Sequence, residues 1–151
     1  MERLNKDLRE LLDLFNSNNV DFLVVGGHVV AFHGYPRFTD DLDCYVRPSA
    51  ENGSRIVQAL REFGFGSLEI TPADFEASDR MIQLGRASNR VDLLTRLYAV
   101  VFDDAWSKKV EGTVDGVRVW FIDRSSLLRN KRTRPRPTAT PRTHRAGRLT
   151  P

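Results

Sequence analysis

The sequence predicts an α/β or α+β protein, in which a short mixed sheet is flanked by helices. Segments with apolar residues at helical spacing alternate along the chain with short β-branched runs. Two pairs of adjacent strands are separated by turn residues, most clearly at Asp115-Gly116, a dipeptide typical of tight hairpins. The 151 residues, of which 40% are apolar and 28% charged, match one globular domain in size and composition.

The first half of the chain alternates helices with strands. Residues 3–16 place five apolar side chains at helical spacing and end in a run of turn-forming residues. Val20–Val25 is β-branched and apolar, which predicts a buried strand. Gly26-Gly27 ends that strand, and residues 28–34 suit a short helix. Asp41–Val46 alternates polar and apolar residues and predicts a second strand.

The second half favours antiparallel pairs. A helix is expected after a cap at Ser49 or Asn52, and it ends near Gly64. Residues 67–79 carry no clear period and are expected to form a loop. The remaining elements are two hairpins, a short helix between them and a last helix capped by Asp123: Met81–Leu84 with Arg90–Thr95, Phe102–Lys109, Val110–Asp115 with Val117–Ile122, and residues 125–132.

Charge is distributed unevenly along the chain. Residues 131–151 contain seven basic and no acidic residues, whereas 1–130 contain sixteen basic and twenty acidic ones, although the whole chain carries +3. The last segment also holds four of the seven prolines and too few apolar residues to offset the entropy of ordering it. We therefore predict a folded domain over 1–131 and a disordered basic Arg/Pro/Thr-rich tail over 132–151.

Several classes of protein are excluded by composition. No apolar run approaches the roughly 18–20 residues that a membrane-spanning helix requires. The first residues lack the apolar region of a secretory signal, so a cytoplasmic protein is expected. A single cysteine, Cys44, excludes an internal disulfide and a zinc site built from cysteines, and its position predicts a small buried side chain.

The acidic residues Asp40, Asp41 and Asp43 crowd the start of the second predicted strand. Because strand side chains alternate, Asp41 and Asp43 share one face at a spacing of about 6–7 Å. Two carboxylates at this spacing repel each other unless a cation lies between them, and Mg²⁺ favours such oxygen ligands. A solvated strand face or a capped turn is the alternative, and it is the more common one for this pattern alone.

Asp92 and the glycine pair Gly26-Gly27 are the other two candidate features. Asp92 lies within an apolar strand, where an acid is costly unless it is paired or binds a metal. The alternative is an outward-facing Asp92 paired with Arg90 or Arg96. Glycines between a strand and a helix let backbone N–H groups approach a phosphate, although such turns also use glycine for its dihedral freedom alone.

Taken together, these features resemble a known family. The segment VVGGHVVAFHGYPRFTDDLDCYV is similar to the signature of the nucleotidyltransferase superfamily, a Gly-Gly or Gly-Ser turn followed by an Asp-x-Asp strand. It is closest in pattern to small, AbiEii-like bacterial nucleotidyltransferases, whose R-x-T-x-D-h-D segment corresponds to residues 37–43. VDLLT matches the strand with the third carboxylate, and LLRNK matches a helix with a lysine near the phosphates. The resemblance covers about residues 5–131.

The resemblance implies a site and an activity. Asp41, Asp43 and Asp92 would be catalytic and would bind two Mg²⁺ ions, with Asp92 also accepting a proton from an acceptor hydroxyl. The nucleotide-binding residues would be Gly26, Gly27, Arg37, Thr39 and Lys131, with Thr39 acting mainly by ordering the loop before Asp41. The expected reaction moves a nucleoside monophosphate from an NTP to an unidentified acceptor (RNA such as a tRNA end, a protein or a small molecule). An antitoxin-like protein is an expected partner.

The chain departs from the family pattern after Lys131, where relatives continue the helix with acids and apolar residues. One interpretation is a frameshifted end, because the composition resembles GC-rich coding DNA read in the wrong frame. The other is a genuine basic tail that binds nucleic acid through phosphates. The departure also leaves open a catalytically inactive nucleotide- or RNA-binding remnant of the same fold.

Overall fold

The structure is a computed structural model that describes residues 6–25, 42–64, 69–77, 79–86, 89–114, 116–133 and 142–145. Within these ranges the chain forms a mixed seven-stranded sheet with four α-helices, which confirms the predicted α/β class. The strands are β1 (Phe22–Val25), β2 (Leu42–Val46), β3 (Arg80–Arg86), β4 (Asn89–Leu94), β5 (Val110–Val114), β6 (Val117–Phe121) and β7 (Arg142–Arg145). The helices are α1 (Lys6–Ser17), α2 (Ala50–Phe63), α3 (Phe102–Ser107) and α4 (Arg124–Thr133).

The strands follow the spatial order β5-β6-β1-β2-β4-β3-β7. The pairs β1–β2, β3–β4 and β5–β6 are antiparallel, whereas β1–β6, β2–β4 and β3–β7 are parallel. Both predicted hairpins are therefore present as β3–β4 and β5–β6. Gly116 has a φ of 82° in the turn between β5 and β6, the left-handed conformation that its lack of a side chain permits.

Helix α1 covers one face of the sheet. Its buried side chains recur at helical spacing, and Phe15 packs edge-on against Phe22 of β1 with ring centroids 5.3 Å apart. Phe22 and Val24 share this face with Cys44, because β1 and β2 pair Phe22 with Val46 and Val24 with Cys44. This face of the sheet therefore forms its part of the core against α1.

Helix α2 is delimited by two local signals. The Ser49 side chain accepts a hydrogen bond from the Asn52 backbone N–H, so Ser49 rather than Asn52 is the cap. Gly64 ends the helix with a φ of 115°. Asn52 is instead buried, where its side chain accepts from the Asp21 N–H at 2.8 Å and donates to the carbonyls of Asp21 and Arg47 at 3.0 and 3.1 Å. These bonds tie the start of α2 to the segments flanking β1 and β2.

The opposite face of the sheet carries α3 and the segment before it. The Tyr45 ring packs edge-on against Phe102, with centroids 5.1 Å apart, and its hydroxyl donates to the Val100 carbonyl at 2.9 Å. Burial, followed by the charge of Asp103, raises the pKa of Tyr45 to about 12. The phenol therefore remains a neutral donor that fixes α3 against β2.

Two regions differ from the sequence expectation. Residues 67–79 were expected to form a loop, but Pro72–Phe75 is a 3₁₀-helix whose Phe75 is fully buried. The predicted disordered tail 132–151 contains strand β7, whose backbone pairs in parallel with β3 from Arg80↔Arg142 to Gln83↔Arg145. Backbone pairing requires no apolar side chains, so composition gives little indication of such a strand.

None of the helices in the described ranges has the length and apolar character that crossing a bilayer requires.

We expect Asn52→Ala to lower the free energy of unfolding by about 2–3 kcal/mol, because it leaves the partly buried Asp21 N–H without its acceptor and removes a buried amide that also donates to the carbonyls of Asp21 and Arg47. Chemical denaturation monitored by circular dichroism measures this change. Gln58→Ala is the matched control, since Gln58 is exposed on the same helix and, within the described ranges, donates its side-chain hydrogen bond to Glu62; we expect a change within about 0.5 kcal/mol. Equal stability of the two variants would contradict the structural role given to Asn52.

Candidate functional site

Two of the predicted site carboxylates lie side by side in the sheet. Strands β2 and β4 run parallel, and their register pairs Asp43 directly with Asp92. Residues paired across adjacent strands project to the same face, and the strands lie about 4.8 Å apart. Sheet pairing thus brings together two acids that are 49 positions apart in the sequence.

The carboxylate pair lies at one end of the sheet. Val25, the last residue of β1, pairs with Asp43, so the chain leaves β1 beside this carboxylate. Gly26-Gly27 follow Val25 directly in the sequence. Strand β6 ends at the same side, because it runs parallel to β1 with Val24 opposite Phe121, and the Ile122 N–H donates to the Val24 carbonyl at 3.1 Å. Three strand ends therefore meet near Asp43.

Asp92 is buried, with a relative exposure of 7%. Its Oδ1 lies 3.2 Å from Nε of Arg90, two residues earlier on the same strand. The predicted ion pair with Arg90 is therefore present, but the alternative of an outward-facing Asp92 is wrong. Burial of an acid is costly without such compensation, so the nearby guanidinium lets the carboxylate remain within the sheet.

The Cys44 side chain projects from the face of β2 opposite Asp43 and Asp92, and the charges of these two carboxylates affect its thiol. It is fully buried, as predicted. Burial raises the pKa of its thiol well above the ordinary value, and the negative charges of Asp43 and then Asp92 raise it further. The thiol therefore stays protonated, which makes it a poor nucleophile and a poor metal ligand.

The donor set suits a hard cation. Two carboxylates on adjacent strands offer oxygen ligands, and Mg²⁺ commonly takes one or two carboxylates plus substrate phosphates. In the part of the chain that the structure describes, no three His, Cys, Asp or Glu side chains form a group that could hold a metal alone. Asp43 and Asp92 would therefore act with a third ligand, for which the sequence proposes Asp41.

Most of the remaining predicted site residues lie outside the described residues, namely Gly26, Gly27, Arg37, Thr39 and Asp41. Lys131 is described and is exposed in the last turn of α4. Its neighbour Asn130 donates to the Tyr98 carbonyl at 3.1 Å, so this turn lies against the segment that follows β4. With a rise of about 1.5 Å per residue, Lys131 is about 12 Å along the helix from Asp123.

Sequence reasoning treated Asp123 only as a helix cap, and that function is confirmed. Its Oδ2 accepts from the Ser126 N–H at 3.1 Å and from the Ser125 hydroxyl at 2.7 Å. Burial raises the pKa of Asp123, but hydrogen bonds from the side chains of Ser126 and Ser125 and from the backbone outweigh this effect and hold the pKa below its usual value. The position of Asp123 at the same end of the sheet as the carboxylate pair depends on the pairing of β6 with β1. No pattern in the local sequence predicts that pairing.

An open groove of about 670 Å³ lies at the C-terminal ends of β2 and β4, away from Asp43 and Asp92. Arg47 lines it, but this cation is ion-paired with Asp21 at 2.7 Å and with Asp103, and it lies 4.7 Å from the centre of the Phe102 ring. These contacts hold α3 and the end of β2 together. The groove thus combines apolar walls with the guanidiniums of Arg47, whose charge is compensated, and of Arg96, which lies 4.7 Å from the centre of the Tyr98 ring. We take Asp43 and Asp92 as the candidate site instead, because they are the paired acids.

Comparisons with models of protein families, with curated proteins and with solved structures found no significant match to this chain.

We expect Cys44 to react with a thiol reagent at least about a hundredfold more slowly in the native protein than in denaturant, because it is buried and its pKa is raised. Cys44 is the single cysteine, so the absorbance change on reaction with Ellman's reagent at pH 8 measures it directly. Cys44→Ser provides the blank. Rapid, complete labelling of the native protein would contradict the placement of this residue behind the carboxylates.

Proposed function

We propose that the protein is a Mg²⁺-dependent nucleotidyltransferase that moves a nucleoside monophosphate from an NTP to an acceptor and releases pyrophosphate. The observation that carries this proposal is the register of Asp43 with Asp92 on adjacent parallel strands. The pair lies beside the end of β1, which is followed in the sequence by two glycines. This combination of paired acids with a glycine turn suits binding of a metal-complexed triphosphate.

Asp43 and Asp92, with Asp41 as the proposed third ligand, would hold the metal. Bound Mg²⁺ supplies neutralisation of phosphate charge and a fixed orientation for the attacking and leaving oxygens. Asp92 is the residue that we assign as base. Asp92, whose Oδ1 lies 3.2 Å from Nε of Arg90, would accept the proton of an acceptor hydroxyl as the oxygen bonds to the α-phosphorus. The bond from the α-phosphorus to the bridging oxygen breaks, and pyrophosphate leaves.

The remaining assignments rest on the resemblance of the sequence to the family. The backbone at Gly26 and Gly27 would approach the triphosphate, while Arg37 and Lys131 would offset its charge and Thr39 would order the loop before Asp41. None of the described residues indicates the class of acceptor. RNA, a protein hydroxyl and a small molecule are therefore each included in the test.

The second candidate is a non-catalytic nucleotide- or RNA-binding remnant of the same fold. It is favoured by the abrupt change of composition after Lys131, where the family pattern stops. Nucleotide binding does not separate the two candidates, because both allow it. Turnover does.

We expect the protein, incubated with Mg²⁺, each of four α-labelled NTPs and a cell extract, to transfer label to RNA, protein or a small molecule. Asp43→Ala should reduce this transfer at least about a hundredfold, because it removes a carboxylate that orients the reacting groups. Gel electrophoresis and thin-layer chromatography of the products measure the transfer.

Asp104→Asn is the matched control, since Asp104 is an exposed acid of α3, and its transfer should equal that of the wild type. Absence of transfer from every NTP at high protein concentration would favour the remnant. Equal transfer by Asp43→Ala and the wild type would remove the paired carboxylates from the mechanism.

A further inference from the structure

The open groove at the C-terminal ends of β2 and β4 has the position and the size of a ligand site. Residues 47–49, which follow β2, and residues between Thr95 and Asp103, which follow β4, line it. Ligands of α/β proteins commonly bind at the carboxyl ends of parallel strands, because the loops that follow the strands meet there. The volume of about 670 Å³ lies within the range of roughly 300–1,000 Å³ that is typical of small-molecule sites.

The wall of the groove exposes apolar surface to solvent. Val101 is 64% exposed, and Leu97 and Phe102 line the groove with it. Tyr98, which is 41% exposed, belongs to the same segment, so residues 97–101 contain two of the three large apolar side chains that are exposed in the described ranges. Exposed apolar surface that is concentrated in one place commonly marks a binding site. The groove therefore suits a ligand with an apolar body.

Hydrogen bonds to the backbone hold this wall in its conformation. The Tyr45 hydroxyl donates to the Val100 carbonyl at 2.9 Å, and the Asn130 side chain donates to the Tyr98 carbonyl at 3.1 Å. The Val100 N–H also donates to the Leu97 carbonyl at 3.1 Å. Because these bonds order the wall before a ligand arrives, binding costs little further conformational entropy.

Arg96 supplies the groove with an available positive charge. Among the described residues it forms no ion pair, and its guanidinium lies 4.7 Å from the centre of the Tyr98 ring. The other guanidinium of the groove, that of Arg47, is already paired with Asp21 and Asp103. One available guanidinium suits a carboxylate, to which it can donate two parallel hydrogen bonds. Asp103 also lines the groove and disfavours a dianion such as a phosphate monoester.

We propose that this groove binds a small monocarboxylate with an aliphatic or aromatic body. Arg96 would pair with the carboxylate, and the body would lie against Leu97 and Phe102. Along β2, Arg47 of the groove lies four residues, or about 13 Å, from Asp43. The groove is therefore a second site, and its ligand requires neither a metal ion nor a nucleotide.

The test is an NMR titration of the full chain, without nucleotide or Mg²⁺, with four probes that share an eight-carbon chain: octanoate, octanol, octyl phosphate and octylamine. We expect octanoate to shift the backbone amide signals of residues 97–102 and to bind about fivefold or more tightly than octanol, which cannot pair with Arg96. Octyl phosphate and octylamine should both bind more weakly than octanoate, because Asp103 repels the first and Arg96 repels the second.

Two variants test the assigned residues. Arg96→Gln should lower the affinity for octanoate to that for octanol and leave octanol binding unchanged. Val101→Asp should weaken octanoate binding more than octanol binding, and it should fold normally, because Val101 is exposed and is the N-cap of α3, where aspartate is favoured. Arg61→Gln is the matched control, since Arg61 is exposed in the last turn of α2, outside the groove; its affinities should equal those of the wild type.

The proposal is overturned if no probe shifts the amide signals of residues 97–102, if octanoate binds no more tightly than octanol, or if Arg96→Gln keeps the preference for octanoate. Tighter binding of octyl phosphate than of octanoate would contradict the assignment of a monocarboxylate. Because the titration contains neither nucleotide nor metal, each of these results leaves the proposed nucleotidyl transfer standing.

Discussion

Strand β2 pairs on both sides, with β1 antiparallel and β4 parallel, and four of its five side chains are buried. A strand in this position has no free backbone groups, so its register with each neighbour is strongly constrained by which face each residue must occupy. A slip of one residue relative to β4 would move Asp92 to the core face and place an apolar side chain beside Asp43. The alignment of the two carboxylates therefore depends on the same packing that stabilises the sheet.

The two ends of this central strand differ in the interactions that they make. At its C-terminal end, Asn52, Arg47 and the Tyr45 hydroxyl join β2 to α2 and α3 through hydrogen bonds and an ion pair with Asp21. At its N-terminal end lie the acids of the proposed site and the cap of α4. Hydrogen bonds and an ion pair thus join one end of β2 to the helices, while the acidic groups of the proposed site lie at the other end.

Local patterns in the sequence were sufficient for most of the elements. The helical spacing of apolar residues predicted α1 and α2, and Asp115-Gly116 predicted the β5–β6 hairpin, because these signals lie within a few residues. The pairing of Asp43 with Asp92 and of β6 with β1 joins distant segments, and no short-range rule specifies it. The strand β7 and the buried Asn52 were missed for related reasons. Their contacts are made by backbone groups and by a polar side chain, neither of which produces an apolar period.

Arg90 offsets the cost of burying Asp92. A buried Asp92 beside a second carboxylate would be unfavourable through both desolvation and repulsion, and the guanidinium at 3.2 Å offsets part of each cost. The same contact means that any cation approaching Asp92 competes with a permanent positive charge. Under the proposed function, a metal ion already bound to a triphosphate would have an advantage in this competition, because the phosphates add ligands and can themselves pair with the guanidinium. The ion pair that permits Asp92 to be buried would then also favour a metal–nucleotide complex over the free ion.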